Sequence, residues 1–319
     1  MTASRSITRF FAALLVLCLV GSILTLRRLD RLRASATLEE VLYLPSARVL
    51  RYLSFGYTGL MANLYWTRTV QYFGRRHGER AARFDLLPPL LQITTDLDPH
   101  LVVAYKYGSI FLAQEPPEGA GRPDLAVDFV EKGIRANPDD WQLYYHLGFV
   151  HFIERKDYIA ASEAFRRGSE VPGAHPWMKV MAAAMAQFGG ERETARRLWT
   201  YIHQSTEDQY IRANAVKRLR ALEVDDAVPR LEERIRLYHQ RTGLWPESWN
   251  QMIVDGFLRG IPLDPLGLPY KLMPGGRVEV QKPEDLPFIR HGLPQGLAPS
   301  LFAVPDKANA DKAKEQEKQ

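Results

Sequence analysis

The chain has 319 residues, 46% of them hydrophobic and 25% charged, which suits one or two domains with real cores and excludes a disordered protein. The formal net charge of +5 is confined to residues 1–33, where six arginines (Arg5, Arg9, Arg27, Arg28, Arg31 and Arg33) stand against one acid, Asp30. The remainder is neutral and lacks the basic face of a nucleic-acid-binding domain, so no nucleic-acid partner is expected. A single cysteine, Cys18, excludes a disulfide framework and a cysteine-rich metal site within one chain.

Residues 10–26 (FFAALLVLCLVGSILTL) carry no charge and are flanked by arginines that can snorkel to lipid headgroups. As a helix this run rises about 26 Å, near the ~30 Å hydrocarbon thickness. It predicts a signal-anchor transmembrane helix in contact with the lipid bilayer, and hence a single-pass protein of the inner (cytoplasmic) membrane. Two rival readings are a cleaved signal peptide and a lipoprotein signal. The first has Ala34-Ser35-Ala36 as its cleavage triplet, but four arginines separate that triplet from the apolar run. The second is opposed by the bulky Leu17 before Cys18. Residues 52–67 also lack charge, but Ser54, Gly56, Thr58 and Asn63 favour a packed helix or helix pair.

From about residue 57 to 222 the chain reads as successive amphipathic helices with short breaks. Pro99, Pro138 and Pro172 recur at spacings of 39 and 34. Between Trp141 and Pro172, the positions Tyr144, Leu147 and Gly148 fall on one predicted helix, and Ala161, Phe165 and Gly168 on the next. Lys156-Asp157-Tyr158 lies at the turn. Gly108 and Phe111, then Ala126, Gly133 and Pro138, repeat the arrangement upstream, with residues 114–122 inserted as a turn-forming loop. Gly190, Ala195 and Trp199 continue it downstream. Residues 58–99 read as a degenerate first hairpin and 206–222 as a closing helix. These positions resemble the tetratricopeptide repeat (TPR) pattern, whose period is 34 residues. His151 replaces the usual aromatic, and the turn before Tyr158 is one residue longer than the pattern. The resemblance implies stacked helical hairpins in which small residues let neighbouring helices approach and large ones fill the gaps. It also implies a concave groove for a protein or peptide partner, with Tyr145, His146 and Phe149 as groove candidates. Asp98-Pro99 and Asn137-Pro138 are expected to cap the following helices, and Asp96, Asp139 and Asp140 to act as caps at hairpin junctions.

Residues 226–242 read as a further helix. Trp245-Pro246, Asp264-Pro265, Gly267, Pro269 and Tyr270 follow, with a small hairpin turning at Pro274-Gly275-Gly276. This stretch resembles the C-terminal part of type II secretion pseudopilins, which implies an extracytoplasmic soluble domain. The N-terminus departs from pilins, having no prepilin peptidase site, so filament assembly is not implied. The expected organisation is an anchor over 1–33, a repeat domain over 34–222, a C-terminal helix and cap over 223–303, and a disordered tail over 304–319. The fold class is all-α: a TPR-like helical-hairpin solenoid with an N-terminal transmembrane helix and a small C-terminal α+β cap.

Catalytic chemistry finds no foothold. His146 and His151 are five apart, where zinc-binding helices want four, and no P-loop, dinucleotide fingerprint or GxSxG elbow occurs. No metal, cofactor or catalytic residue is expected. Residues 75–83 are basic and suit a solvated turn or a contact with headgroups or an acidic partner. The sequence therefore predicts a non-enzymatic scaffold, conceivable in an envelope secretion or pilus-type assembly. A structural envelope subunit acting through the C-terminal cap, and an unrecognised enzyme, are the alternatives.

Overall fold

The computed structural model describes residues 46–299, together with Leu15, Cys18 and residues 20–22. Two compact units are distinguished, Met1–Leu50 and Arg51–Gln319. Helix α1 (Ala47–Leu53) crosses the division, and the elements from Thr58 onward belong to the second unit.

That unit is mostly helical, with many packed helical hairpins. Helix α2 (Thr58–Gly78) buries Ala62, Tyr65, Thr69 and Tyr72, a single stripe at helical spacing. It packs on α3 (Leu87–Leu97), which opens with prolines in its first turn. Helices α4 (Val102–Ala113) and α5 (Pro123–Ala136) form the second pair. The third is α6 (Trp141–Phe149) with α7 (Tyr158–Ser169), and the fourth is α8 (Trp177–Phe188) with α9 (Arg192–Ser205). Each pair also packs on the next: α3 on α4, α5 on α6, α7 on α8 and α9 on α10 (Gln209–Thr242).

The packing rests on aromatic rings laid against glycines. A Cβ on Gly133 of α5 would lie 2.7 Å from Cγ of Tyr105 on α4, and one on Gly168 of α7 would lie 2.6 Å from Cβ of Tyr144 on α6. The reciprocal contact also recurs: Gly108 on α4 faces Phe129 of α5, and Gly148 on α6 faces Phe165 of α7, with hypothetical Cβ distances of 2.7 and 2.6 Å. Ala126, Ala161 and Ala195 occupy matching positions on the second helices with no exposed surface, and Leu147, Phe165 and Trp199 are buried beside them. Ion pairs tie neighbouring second helices: Lys132 to Asp96 at 2.5 Å and Arg167 to Glu131 at 3.0 Å, both 36 residues apart.

The extra residue before Tyr158 is absorbed as a π-helical turn, Val150–Glu154, in which Arg155 N–H bonds to Val150 C=O at 3.2 Å. His151 sits in that turn. Lys156 then takes a left-handed conformation (φ 54°), and Asp157 caps α7 by accepting Ala160 N–H at 3.0 Å. The capping expected of Asp98 and Asn137 is corrected. Helix α4 starts after Leu101 without a side-chain cap, and Asp98 instead accepts His100 N–H at 2.9 Å. Asn137 terminates α5 and donates to Pro99 C=O at 2.9 Å, while Asp140 caps α6 through Gln142 N–H at 2.9 Å. The prolines stand outside the next helix, so the cap falls further along. Asp96 is engaged elsewhere, with Lys132.

The two helices expected over 206–222 and 226–242 are one, α10, with Pro229 inside it. An internal proline costs about 3 kcal/mol. The offset comes from packing: Val224, Val228, Ile235 and Tyr238 share a core with Trp249, Met252, Tyr270, Val278, Val280, Leu286, Phe288 and Ile289. Those residues belong to α11 (Trp249–Val254), a two-stranded antiparallel hairpin of β1 (Lys271–Leu272) and β2 (Val278–Glu279), and the segments that flank that hairpin. Acids on α10 hold this cap by its backbone. Asp225, 3% exposed, accepts Arg290 N–H at 2.7 Å and His291 N–H at 2.8 Å, and Glu232 accepts Val278 N–H at 3.1 Å. Asp264 closes its own turn through Leu266 and Leu268 N–H, both at 2.9 Å.

The membrane expectation is corrected. Among the described residues no helix is long and apolar enough to cross a membrane. Helix α2 has the length, 21 residues, but carries Arg68, Arg75 and Arg76, and α10 is charged throughout. A single-pass inner-membrane protein with an extracytoplasmic domain is therefore withdrawn as the reading of this chain. Most of residues 10–26, assigned above to bilayer contact, and the tail over 304–319 lie outside the described residues.

Two measurements test this packing. In urea denaturation, Gly148→Ala is expected to lose about 1–2 kcal/mol, because the clash with Phe165 outweighs the better helix propensity of alanine. Gly74→Ala, where no atom lies within 4 Å of the new Cβ, is expected to gain up to about 1 kcal/mol. In hydrogen exchange, Asp225→Ala should weaken docking of residues 278–292 by about 1–2 kcal/mol and leave α4–α7 unchanged, since two partly buried N–H groups lose a charged acceptor.

Candidate partner-binding groove

The first helices of three consecutive hairpins, α4, α6 and α8, line a cavity of about 700 Å³. Helix α4 contributes Val103, Lys106 and Tyr107, α6 contributes Trp141, Gln142, Tyr145 and His146, and α8 with its preceding turn contributes His175, Trp177, Met178 and Met181. The positions recur: Lys106, Gln142 and Met178 are 36 residues apart in succession, as are Trp141 and Trp177, and Tyr145 and Met181. Equivalent faces of successive repeats therefore form the wall.

Along α6 the division of labour follows helical periodicity. Leu143, Tyr144, Leu147 and Gly148 are buried between hairpins, and Tyr144 Oη donates to Pro138 C=O at 3.2 Å. Trp141, Gln142, Tyr145 and His146 point the other way, into the cavity. Tyr145 is 39% exposed, Tyr107 51% and Trp177 43%, a concentration of exposed aromatic surface that water hydrates poorly. Trp141 and Tyr145 meet edge to face at 6.4 Å.

The polar groups of the cavity are largely spoken for. Lys106 Nζ donates to Gln142 Oε1 and lies 3.7 Å from the Asp140 carboxylate. His175 Nδ1 accepts Trp177 N–H at 3.2 Å. Burial pushes His146 down to about 4, with the Lys106 charge adding to the effect and Asp140 opposing it, so the ring is neutral near pH 7. Among the described residues neither His146 ring nitrogen has a hydrogen-bond partner. Burial likewise lowers His151, which lies in the π-helical turn and not on the cavity. A second hollow, about 660 Å³, adjoins the first, sharing Trp141 and Gln142, and is bordered by His100, Asn137, Asp139 and Asp140.

Of the groove candidates named from sequence, Tyr145 and His146 line the cavity, whereas Phe149 turns toward Tyr145 (ring centroids 4.6 Å apart) and Phe165 (5.4 Å). Gly108, Ala126, Gly133, Tyr144, Leu147, Gly148, Ala161, Phe165, Gly168, Ala195 and Trp199 all lie in the inter-helix packing and none reaches the cavity. Sequence reasoning missed Val103, Lys106, Tyr107, Trp141, Gln142, His175, Trp177, Met178 and Met181. The 36-residue recurrence of Trp141 and Trp177, and of Lys106 and Gln142, was the signal that could have found several of them. Among the described residues no group of three or more histidine, cysteine or acidic side chains could hold a metal ion.

No family model matches the chain. Over 45 residues it is 47% identical to the general transcriptional corepressor CYC8 of Saccharomyces cerevisiae, a stretch covering 14% of this chain and 5% of that protein. The match is too short to show a family. The resemblance of the C-terminal segment to pseudopilins finds no support in these comparisons.

The depressed His146 makes a pH prediction. Its imidazole binds a proton below about pH 6.5 when unfolded but only near 4 when folded, so its contribution to stability is complete above about 6.5 and is lost as the pH falls toward 4. His151 acts in the same sense. His146→Gln should flatten the fall in denaturation free energy across that window, by at most about 1.4 kcal/mol per pH unit at its steepest.

Proposed function

We propose that this chain is a TPR-type helical solenoid that works as a protein-binding scaffold and catalyses nothing. The single observation that carries the reading is the cavity walled by α4, α6 and α8, where Tyr107, Trp141, Tyr145 and Trp177 collect on one face of three successive hairpins. Rings held there by the backbone lose little conformational entropy on binding, which is why exposed tyrosine and tryptophan so often anchor protein partners. The recurrence of glycine, alanine and aromatic positions supports the TPR assignment, as does the short match to a corepressor that contains such repeats. An extended segment of another protein fits a trough that continues past Trp141 and Gln142 into the second hollow.

A second reading places the contact on the C-terminal cap, where Leu244, Val254, Ile261 and Leu263 are exposed. The two are separated by photo-crosslinking in cells of the source organism, with the reactive residue at Tyr107 or at Val254. The groove reading expects a discrete protein adduct from Tyr107, abolished by Tyr145→Ala with Trp177→Ala and unaffected by Val254→Lys with Leu263→Lys. Affinity for the adduct partner should fall by at least tenfold in the groove variant, about 1.4 kcal/mol or more. Adducts from Val254 alone, lost only in the cap variant, would establish the second reading instead.

A further inference from the structure

The cavity has a definite chemical character. Its one ammonium, on Lys106, is already satisfied by Gln142 Oε1 and faces the Asp140 carboxylate at 3.7 Å. Asp140 is itself engaged as the cap of α6. His146 carries no charge near pH 7. Apart from Val103 and His175, whose Nδ1 is taken by Trp177 N–H, what remains of the wall is aromatic and thioether: Tyr107, Trp141, Tyr145, Trp177, Met181 and the nearly buried Met178. A carboxylate or ammonium entering it would lose hydration and meet no free counter-charge, a costly exchange. An aromatic ring would gain apolar contact, edge-to-face contacts with the tyrosine and tryptophan rings, and contacts with the methionine sulfurs. The unpartnered nitrogens of His146 offer one donor and one acceptor to a peptide group or a phenolic hydroxyl beside that ring.

The adjoining hollow differs. Asp139 is exposed there, and among the described residues its carboxylate has no ion-pair or hydrogen-bond partner. It supplies an unanswered negative charge at the end of the trough beyond Trp141 and Gln142.

We propose that the groove selects extended segments bearing a large neutral aromatic side chain, which enters the cavity between α4, α6 and α8, next to a lysine or arginine that faces Asp139. The inference rests on the groove reading above and adds the partner's chemistry to it.

The test is selection from a random dodecapeptide display library on the immobilised full chain, run in parallel on Trp177→Glu, Tyr107→Glu and Asp139→Lys. All three substitutions fall on exposed side chains, and thermal melting checks that each variant keeps the fold. Recovered peptides should be enriched in tryptophan, phenylalanine or tyrosine with a neighbouring lysine or arginine. Aromatic enrichment should vanish with either glutamate variant, whereas Asp139→Lys should keep it and lose the basic preference. In a fluorescein-labelled copy of one recovered peptide, replacing the aromatic residue by alanine should weaken binding to the full chain by about tenfold or more. Enrichment of acidic or purely aliphatic peptides that is lost with the glutamate variants would overturn the aromatic–basic selection while leaving the groove as the binding site. Enrichment unchanged by those variants, or no enrichment at all, would overturn the groove reading itself.

Discussion

The rest of the structure depends on how closely two helices of a hairpin can approach. At Gly133 and Gly148 the approach is so close that a methyl group would sit 2.7 Å from the Tyr105 ring and 2.6 Å from the Phe165 ring. Each glycine gives up helix propensity, about 1 kcal/mol relative to alanine. What it returns is a flat site against which a full aromatic face can be buried, and such rings dominate core energetics. Because Tyr105 and Phe129 point into each other's helices from opposite sides, one hairpin is locked by two reciprocal contacts, and Tyr144 with Phe165 reproduces the lock in the next. The ion pairs between second helices add less by comparison, since their side chains remain about a third exposed and solvent-screened pairs contribute about 0–1 kcal/mol.

A stack of this kind ends where its last apolar face meets something that is not another hairpin. Helix α10 solves that problem by being long. Its first part packs on α9, and its second part enters the core of the cap. Arg218 stands where these regions meet, its guanidinium 3.6 Å from the Phe288 ring centroid and 5.5 Å from that of Trp199. Burial lowers its pKa to about 10. It remains protonated at neutral pH, so the junction keeps a cation on an aromatic face in a dry setting, where such contacts are strongest.

The hairpins were legible in the sequence because their signals are local. Gly148, Ala161, Phe165 and Gly168 stand at spacings that only helix pairs use, and Ala195 with Trp199 repeats the set. Three features were not legible, and in the first two tertiary packing overrides a local preference. Residues 206–222 and 226–242 read as two helices, yet the shared core of Val228, Ile235 and Tyr238 with the cap holds one continuous helix. Asp98 and Asn137 read as caps by their position beside proline, yet the turn spends them on Asx bonding and on a link between junctions. Of the eleven residues lining the cavity, only Tyr145 and His146 were visible. An exposed face lacks the apolar helical periodicity of a core face, its signal here is the recurrence at 36 residues, and the partner of Lys106 lies a whole repeat away.

That distance separates folding from binding. On α6, Tyr144 and Gly148 belong to the inter-helix lock while Trp141 and Tyr145 belong to the cavity, although each neighbours the other in sequence. The lock tolerates no added atom, because its surfaces are already in contact. Most of the cavity face is at least partly exposed, so its side chains are free to differ from repeat to repeat, and they do: Lys106 and Gln142, and Tyr145 and Met181, hold equivalent positions with different chemistries, whereas Met178, next after Gln142, is buried against Gly168. A rigid frame with variable side chains on one face gives a repeated fold a particular surface, and the chemistry of that surface is then set by which residues satisfy one another within it. Here Lys106, Gln142 and Asp140 satisfy each other, which leaves the aromatic rings as the groups with most to gain from a partner.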